Sequence, residues 1–530
     1  MPRAKPSEAR DERTLRVAFL AFNKHAASDA RSRIANPPTF TGSDEQLAIW
    51  DAVASRTEHI IVEAVAGSGK TATAAALCGR INATVDTMTY HSFGYKACRS
   101  AGIGTGEPRF KLAQEIAEKL LKGDKSKRKW RRPTRAGDSF DYNTWRVAQL
   151  TSKLAEYARM NLIDWKQDED DLYEALEKIA DHYNMQPSWH LSQAFELLPR
   201  VLDELAKSRD LDFPSMIWRP VVNDLPFPKY DLLICDELQD TSPDQAEMLM
   251  RAVGEGRFMG IGDTKQALYS FRGADVHAMR KIIERLEKTE RGVLLLPLTA
   301  TRRCPRRVVS LAQRIVSQIR ALESAPAGEV RDVTYDGALR AMSPGDMVLC
   351  RVNKELVAPA YDLLKRGVKA VIRGRDVGKS LVGLIDKLKG VTLEEFSHNL
   401  SEYWSRESAK LRALGDKGEN RLVFLEDQCG CLMELMQGMK TLPEMKARIE
   451  TLFADFDEDG KPKAAVVLST VHRAKGLEAD RVWILRPDLI PHPMAKKAHE
   501  KESEMCVAYV AVTRAKSVLC FVGGRPEVFR

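Results

Sequence analysis

The amino-acid sequence predicts a multidomain α/β protein whose sheets are parallel, and three observations carry this expectation. The chain has 530 residues, beyond what one hydrophobic core normally supports, so length alone predicts two to four domains. The apolar run HIIVEAV, His59–Val65, passes through AGSGKT into TATAAAL, which has helical composition; strand, glycine loop and helix in that order belong to a parallel-sheet unit. A second apolar run, KYDLLICDELQD from Lys229 to Asp240, ends in adjacent carboxylates.

The totals narrow the class. With 82 Lys and Arg against 74 Asp and Glu, the net charge is +8, a mild lean toward a polyanionic partner. Nine cysteines are spread thinly, and only Cys429 and Cys431 lie close together. Without a second pair or a histidine cluster to complete a zinc site, they read as buried or free thiols of a reducing compartment. The N-terminal MPRAKPSEARDERTLR lacks the apolar core of a signal peptide, and no run approaches the roughly 18 apolar residues of a membrane span. A cytoplasmic location is expected.

In chain order, RVAFLAFNKHAASDA (Arg16–Ala30) reads as a strand, a polar turn at Asn23 and Lys24, and the start of a helix. FTGSDEQLAIWDAV follows from Phe40, with Gln46 near a helix N-terminus. In the glycine loop, Gly67 and Gly69 let the backbone N–H groups of the Ala66–Thr71 stretch approach phosphate oxygens, and the helix N-terminus favours the anion. Lys70 is placed to reach terminal phosphates and the Thr71 hydroxyl to hold Mg²⁺. Ala64 stands where the usual pattern has its first glycine. After the second strand, Asp236 suits the Mg²⁺ shell and Glu237 an attacking water; an acidic surface turn is the plainer alternative.

Here the residues resemble a known family, the superfamily 1 DNA helicases of the UvrD/Rep type. DELQDTSPDQ is similar to that family's motif II, FMGIGDTKQALYSFRGAD (Phe258–Asp275) to motif III, and LTATRRCP at Leu298 to motif IV. LSTVHRAKGLEADRVWIL at Leu468 resembles motif V, YVAVTRAKS at Tyr509 motif VI, and the Phe40 segment the adenine-reading Q motif. The resemblance implies two RecA-like parallel-sheet motor domains, each with a mainly helical insertion, and ATP with Mg²⁺ bound between them. It implies that Gln46 reads the adenine edge, that Ser68, Gly476 and Glu478 join the nucleotide site, and that Gln266 senses the terminal phosphate. Arg303 and Arg514 correspond to the two arginines brought to the γ-phosphate, a device that contributes about 10³ to 10⁵ in rate.

For nucleic acid, the resemblance points to Phe22, Asn23 and Lys24 of the opening segment. It adds His91 in TYHSFG, Tyr269, Phe271 and Arg272 in motif III, Arg351 and Asn353 in GDMVLCRVNKEL, and Thr470 and His472 in motif V. An exposed aromatic there stacks a base at about 1–3 kcal/mol. Tyr269 reads equally as a core aromatic, and His91 and His472 as packed histidines. Two positions depart from the family, where an arginine after the phosphate-loop threonine and a tyrosine before the motif IV arginine commonly sandwich the adenine. Here they are Ala72 and Arg302, so Arg302 is expected to stack on the purine through its guanidinium plane.

The opening segment resembles the family's motif Ia, which lies between the phosphate-loop helix and the TMTYHSFG motif. Here that interval is too short to hold it, so a local permutation is expected. Strand Val17–Ala21 fills its slot in the first sheet, and about fifteen residues, Arg31–Glu45, form a surface return. The rivals are an unrelated extra strand and a rearranged gene.

The expected division is residues 1–97 and 212–290 for the first motor domain, 98–211 for its insertion, 291–380 and 462–530 for the second, and 381–461 for a short second insertion. Within the first insertion, KGDKSKRKWRRPTR (Lys122–Arg135) carries eight basic residues and a tryptophan, suited to tracking phosphates or to a solvated loop. The reading is an ATP- and Mg²⁺-dependent helicase or translocase on single-stranded DNA and its junctions, 3′→5′ by resemblance, monomeric and nucleoid-associated. A protein-stripping translocase and an ATP-switched DNA-binding subunit of a repair or nuclease complex are the rivals.

Overall fold

The computed structural model describes residues 14–36, 42–104, 106–123, 140–183, 185, 187–268, 277–453 and 465–530. Six strands form the first parallel sheet: β1 (Leu15–Ala21), β2 (His59–Ala64), β3 (Ala83–Thr89), β4 (Leu232–Cys235), β5 (Arg257–Gly262) and β6 (Val293–Leu298), in the order β3-β1-β4-β5-β2-β6. A short parallel pair, β7 (Ala300–Thr301) and β8 (Arg320–Ala321), leads to the second sheet. That sheet comprises β9 (Glu329–Val333), β10 (Met347–Cys350), β11 (Ala370–Ile372), β12 (Val466–Thr470), β13 (Ala479–Leu485) and β14 (Ala515–Val522), in the order β11-β12-β10-β13-β14-β9.

Strand β1 occupies an interior slot. Leu15–Ala21 pairs in register with Ala83–Thr89 on one side, and Val17–Leu20 pairs with Leu232–Cys235 on the other. Val17 through Ala21 are fully buried, as befits a strand covered on both faces. The first strand of the chain is thus a central strand of the sheet, next to the strand that ends in Asp236. The following helix, Lys24–Ala35, is capped by Asn23, whose side chain accepts from the Ala26 N–H. The expected surface return is shorter than Arg31–Glu45, because the helix runs to Ala35 and the next begins at Asp44 under a Ser43 cap. Pro37 and Pro38, in the interval between them, lie outside the described residues.

Strand β6 also refines the expected division. Residues 293–298 were expected to open the second motor domain, yet they pair with β2 along His59–Ala64 and so belong to the first sheet. The first insertion contains the helices Leu112–Gly123, Phe140–Met160, Glu169–His182 and Trp189–Lys207, which bury a core around Leu154, Leu176 and Leu198 that excludes the strands of the first sheet and takes in Trp218 from the helix Phe213–Val222. The second insertion, with helices Arg375–Leu388, Leu393–Ala413, Glu419–Met436 and Leu442–Leu452, has no such independence. Phe396, Leu425 and Ile449 share one apolar cluster with Val348, Val466 and Leu468 of the second sheet.

Candidate nucleotide site and nucleic-acid face

The site forms where the strand ends of the first sheet meet the second lobe. Strand β2 delivers the phosphate loop, and the helix Lys70–Cys78 starts directly after Gly69. Gly67 and Gly69 both have left-handed φ, +70° and +86°, which a side chain disfavours. At Gly67 the space is closed as well, since an added Cβ would lie 2.5 Å from Arg303 Cβ. Ala64 remains in extended strand opposite Leu298, so the missing first glycine imposes no conformational demand.

Strands β4 and β5 bring the acidic groups beneath that loop. The Thr71 hydroxyl donates to Asp236 Oδ2 at 2.5 Å, and Lys70 Nζ lies 3.5 Å from Glu237 Oε2. Burial pushes the Asp236 carboxyl up to about 6, and the neighbouring Glu237 charge adds to the shift. Burial opposes the Glu237 charge too, but Lys70 and Lys475 outweigh it and hold its pKa below the ordinary value. Burial likewise disfavours the Lys70 ammonium, yet the Glu237, Asp263 and Asp236 carboxylates prevail and its pKa is raised. Glu237 sits at φ +54°, a strained conformation for a residue with a side chain.

A polar chain continues from Glu237 into the second lobe. Gln239 Nε2 donates to Glu237 Oε2 at 2.6 Å, and its Oε1 accepts from the Asp263 N–H at 2.9 Å. Gln266 Nε2 donates to Asp263 Oδ2 at 2.6 Å, and Arg514 Nη2 donates to Gln266 Oε1 at 3.2 Å. Arg514 is 1% exposed, and burial lowers its pKa to about 10. Lys475 crosses the same boundary, donating to Asp240 Oδ1 at 2.5 Å and to the Gln266 carbonyl. From the helix Ala498–Val512, the Tyr509 hydroxyl accepts the Ala66 N–H at 2.9 Å. Val65 and Ala66 are accordingly packed into the core of the second lobe beside Cys304 and Tyr509.

Of the expected site residues, Arg303 donates to Glu478 Oε2 at 2.7 Å. Arg302 holds the phosphate loop through a backbone bond to the Gly67 carbonyl, 2.8 Å, and its Nη2 donates to Gln46 Oε1 at 2.8 Å. Gln46 is buried and completes a capping box with Ser43. Ser68 is buried, and its hydroxyl has no hydrogen-bond partner among the described residues. Gly476 has left-handed φ in the motif V turn. Among the described residues, no group of three or more His, Cys, Asp or Glu side chains is arranged to hold a metal ion.

On the nucleic-acid side, Phe22 and Lys24 flank the cap residue Asn23 at the end of β1. The His91 ring meets Phe213 edge-on at 5.9 Å, and Phe213 stands 5.3 Å from Phe110, which is 83% exposed. Burial lowers the pKa of His91. Thr470 ends β12 and is buried, while burial and the Arg351 and Arg473 charges keep His472 well below the ordinary histidine value. Arg351 and Asn353 are engaged within the second lobe, Arg351 with Glu504 at 2.7 Å and Asn353 with Asp427 at 2.8 Å. Tyr269, Phe271, Arg272 and nearly all of the Lys122–Arg135 basic run lie outside the described residues.

Sequence reasoning missed five residues of this network, among them Asp240 at the end of DELQD. Gln239 had a signal, being two positions beyond Glu237 in DELQD, and Asp263 closes a buried strand. Lys475 lies within HRAKG, where a lysine reads as a surface charge. Tyr509 lies in the apolar stretch VAYVAV and reads as core, which hides its hydroxyl.

The comparisons agree with this architecture. The UvrD/REP helicase N-terminal domain family matches residues 8–287, and the UvrD-like helicase C-terminal domain family matches residues 433–523. F-box DNA helicase protein 1 of Schizosaccharomyces pombe is 25% identical over 356 residues, 62% of this chain and 37% of that protein. The putative ATP-dependent DNA helicase YjcD of Bacillus subtilis is 22% identical over 455 residues, 66% of this chain and 58% of its own length. The ATP-dependent DNA helicase PcrA of Staphylococcus aureus is 43% identical over 74 residues, 13% of this chain and 10% of that protein. The chain thus spans between about a third and three-fifths of the first two relatives' lengths. With the N-terminal family matched over more than half of its residues, the chain belongs to the UvrD/REP helicase family.

Proposed function

We propose that the chain is an ATP-dependent motor on single-stranded DNA that moves 3′→5′ and displaces the paired strand. The observation that carries this reading is the unbroken polar chain from Glu237 through Gln239, Asp263 and Gln266 to Arg514, which joins the hydrolytic carboxylate to the opposite lobe. A nucleotide phosphate at the loop would compete for the Ala66 N–H and recruit Arg303 from Glu478. Hydrolysis is thereby tied to lobe closure. Lys70 neutralises the terminal phosphates, and Glu237, kept ionised by Lys70 and Lys475, accepts the proton of the attacking water. Thr71 and Asp236, whose side-chain oxygens meet at 2.5 Å, would hold Mg²⁺, and the ion would supply positive charge to offset that of the phosphates.

For the DNA strand, the exposed ring of Phe110, braced by Phe213 beside His91, offers a stacking surface on the first lobe. Phe22 and Lys24, Phe271 with Tyr269 and Arg272, and Thr470 with His472 complete the proposed track. Arg351 and Asn353 act there by fixing the second lobe's turn. The test is strand displacement on duplexes tailed 3′ or 5′, beside Lys70→Ala and Glu237→Gln. Displacement from the 3′-tailed substrate alone, lost in both variants, is expected. ATP turnover that ignores added single strands refutes the motor, whereas stimulated turnover without displacement identifies a protein-stripping translocase.

A further inference from the structure

The base-reading glutamine is chemically committed elsewhere. The Thr73 hydroxyl donates to the Gly69 carbonyl at 2.9 Å, so toward Gln46 it can only accept, and Gln46 Nε2 is the donor at 2.7 Å. That contact fixes the orientation of the amide and leaves Oε1 facing the other way. There Oε1 receives the Ser43 N–H at 3.0 Å and Arg302 Nη2 at 2.8 Å. A carbonyl oxygen has two lone pairs, and both are used. What Gln46 retains is its second amide hydrogen, a donor.

Adenine offers an amino donor at position 6 and an acceptor at N7, and an amide side chain reads that edge by accepting and donating at once. A 6-oxopurine presents two acceptors, which suit amide and guanidinium donors. With its acceptor saturated, the Gln46–Arg302 pair is donor-rich toward the base. We infer that this nucleotide site does not discriminate adenine from a 6-oxopurine, and that Arg302, by occupying Gln46 Oε1, is the residue that removes the discrimination. The inference rests on the proposed nucleotide hydrolysis and extends it to substrate class.

The test compares kcat/KM for ATP and ITP with the full chain and saturating oligo-dT, because inosine differs from adenosine at position 6 and carries no 2-amino group. For the unaltered protein the two values are expected to agree within about ten-fold. Arg302→Met frees Oε1 and should raise the ATP:ITP ratio roughly ten- to hundred-fold, the span of one charge-assisted hydrogen bond. Adding Gln46→Ala to that variant should abolish the gain. A ratio above about a hundred in the unaltered protein overturns the inference. So does an Arg302→Met variant in which both substrates decline equally, the signature of a merely structural residue. Equilibrium binding of ATP and ITP to Glu237→Gln separates this result from the hydrolysis reading. Equal binding without turnover in the parent protein would refute the motor and sustain the inference, and binding of neither nucleotide would refute both.

Discussion

Lys475→Met probes the link between the lobes most directly. Lys475 and Asp240 are 6% and 3% exposed and 2.5 Å apart, so the substitution leaves a carboxylate buried without its cation. Removing one partner of such a pair costs about 3–5 kcal/mol. At 1.4 kcal/mol per decade, even the lower figure reduces the population of the closed cleft roughly a hundred-fold. Lys475 also helps hold Glu237 ionised, so its loss acts on hydrolysis by a second route in the same direction. The assay is steady-state ATPase with saturating oligo-dT at pH 8 and pH 6. Burial already pushes Asp240 up to about 6 against the opposing pull of Lys475; without the lysine it rises further and the carboxyl is neutral at pH 6. The deficit should therefore shrink as pH falls, and Lys475→Met combined with Asp240→Asn should recover part of the rate at pH 8. A single variant within about three-fold of the parent protein at both pH values would refute the reasoning, since a pair worth that little cannot hold the lobes together.

Other outcomes follow from the same geometry. Deleting residues 1–34 removes a fully buried central strand rather than an appendage, so the product should fail to fold; a cooperative thermal transition equal to the parent's would contradict the sheet order. Tyr509→Phe loses one hydrogen bond to the Ala66 N–H at unchanged volume, about 0.5–1.5 kcal/mol, and should alter KM for ATP by roughly two- to ten-fold with little change in Tm. Burial pushes Asp244 up to about 7 against the Ser242 and Gln245 hydrogen bonds that favour its charge. Its folded pKa exceeds the unfolded value near 3.8, so the folded state binds the extra proton, and stability declines as pH rises from about 4 through 7. Asp244→Asn should flatten that decline in thermal melts, and an unchanged slope would exclude the residue as its source.

The two insertions differ in a way that bears on motion. The core of the first takes in Trp218 of the adjoining helix but no strand of the first sheet, whereas Phe396 and Leu425 of the second share theirs with Val348 and Leu468 of the second sheet. Swivelling the second insertion as an independent body would expose that shared core to water, so movement is expected at the boundary between the two lobes, which buried polar contacts such as Lys475–Asp240 and Arg514–Gln266 cross. Arg421 against Asp181, 3.3 Å apart, is one such contact between the insertions.

Much of the molecule was legible in the sequence because local chemistry specified it. An apolar strand, a glycine loop and a helix in that order specify a parallel-sheet unit with the loop at the strand end, and an apolar run ending in Asp236-Glu237 presents those carboxylates at a neighbouring strand end. The central place of β1 was legible too, because VAFLAF is apolar on both faces and the interval between the Lys70 helix and TMTYHSFG is too short to hold a further strand-turn-helix unit. Tertiary structure alone decided the rest. Whether Gln46 faces a base or a neighbouring guanidinium, whether Tyr509 is core or latch, and whether Lys475 meets water or Asp240 depend on partners from 27 to 443 positions away in the chain. Side-chain periodicity records which face is buried but not which distant polar atom awaits it, and in a cleft between two lobes that pairing decides whether a buried charge is compensated.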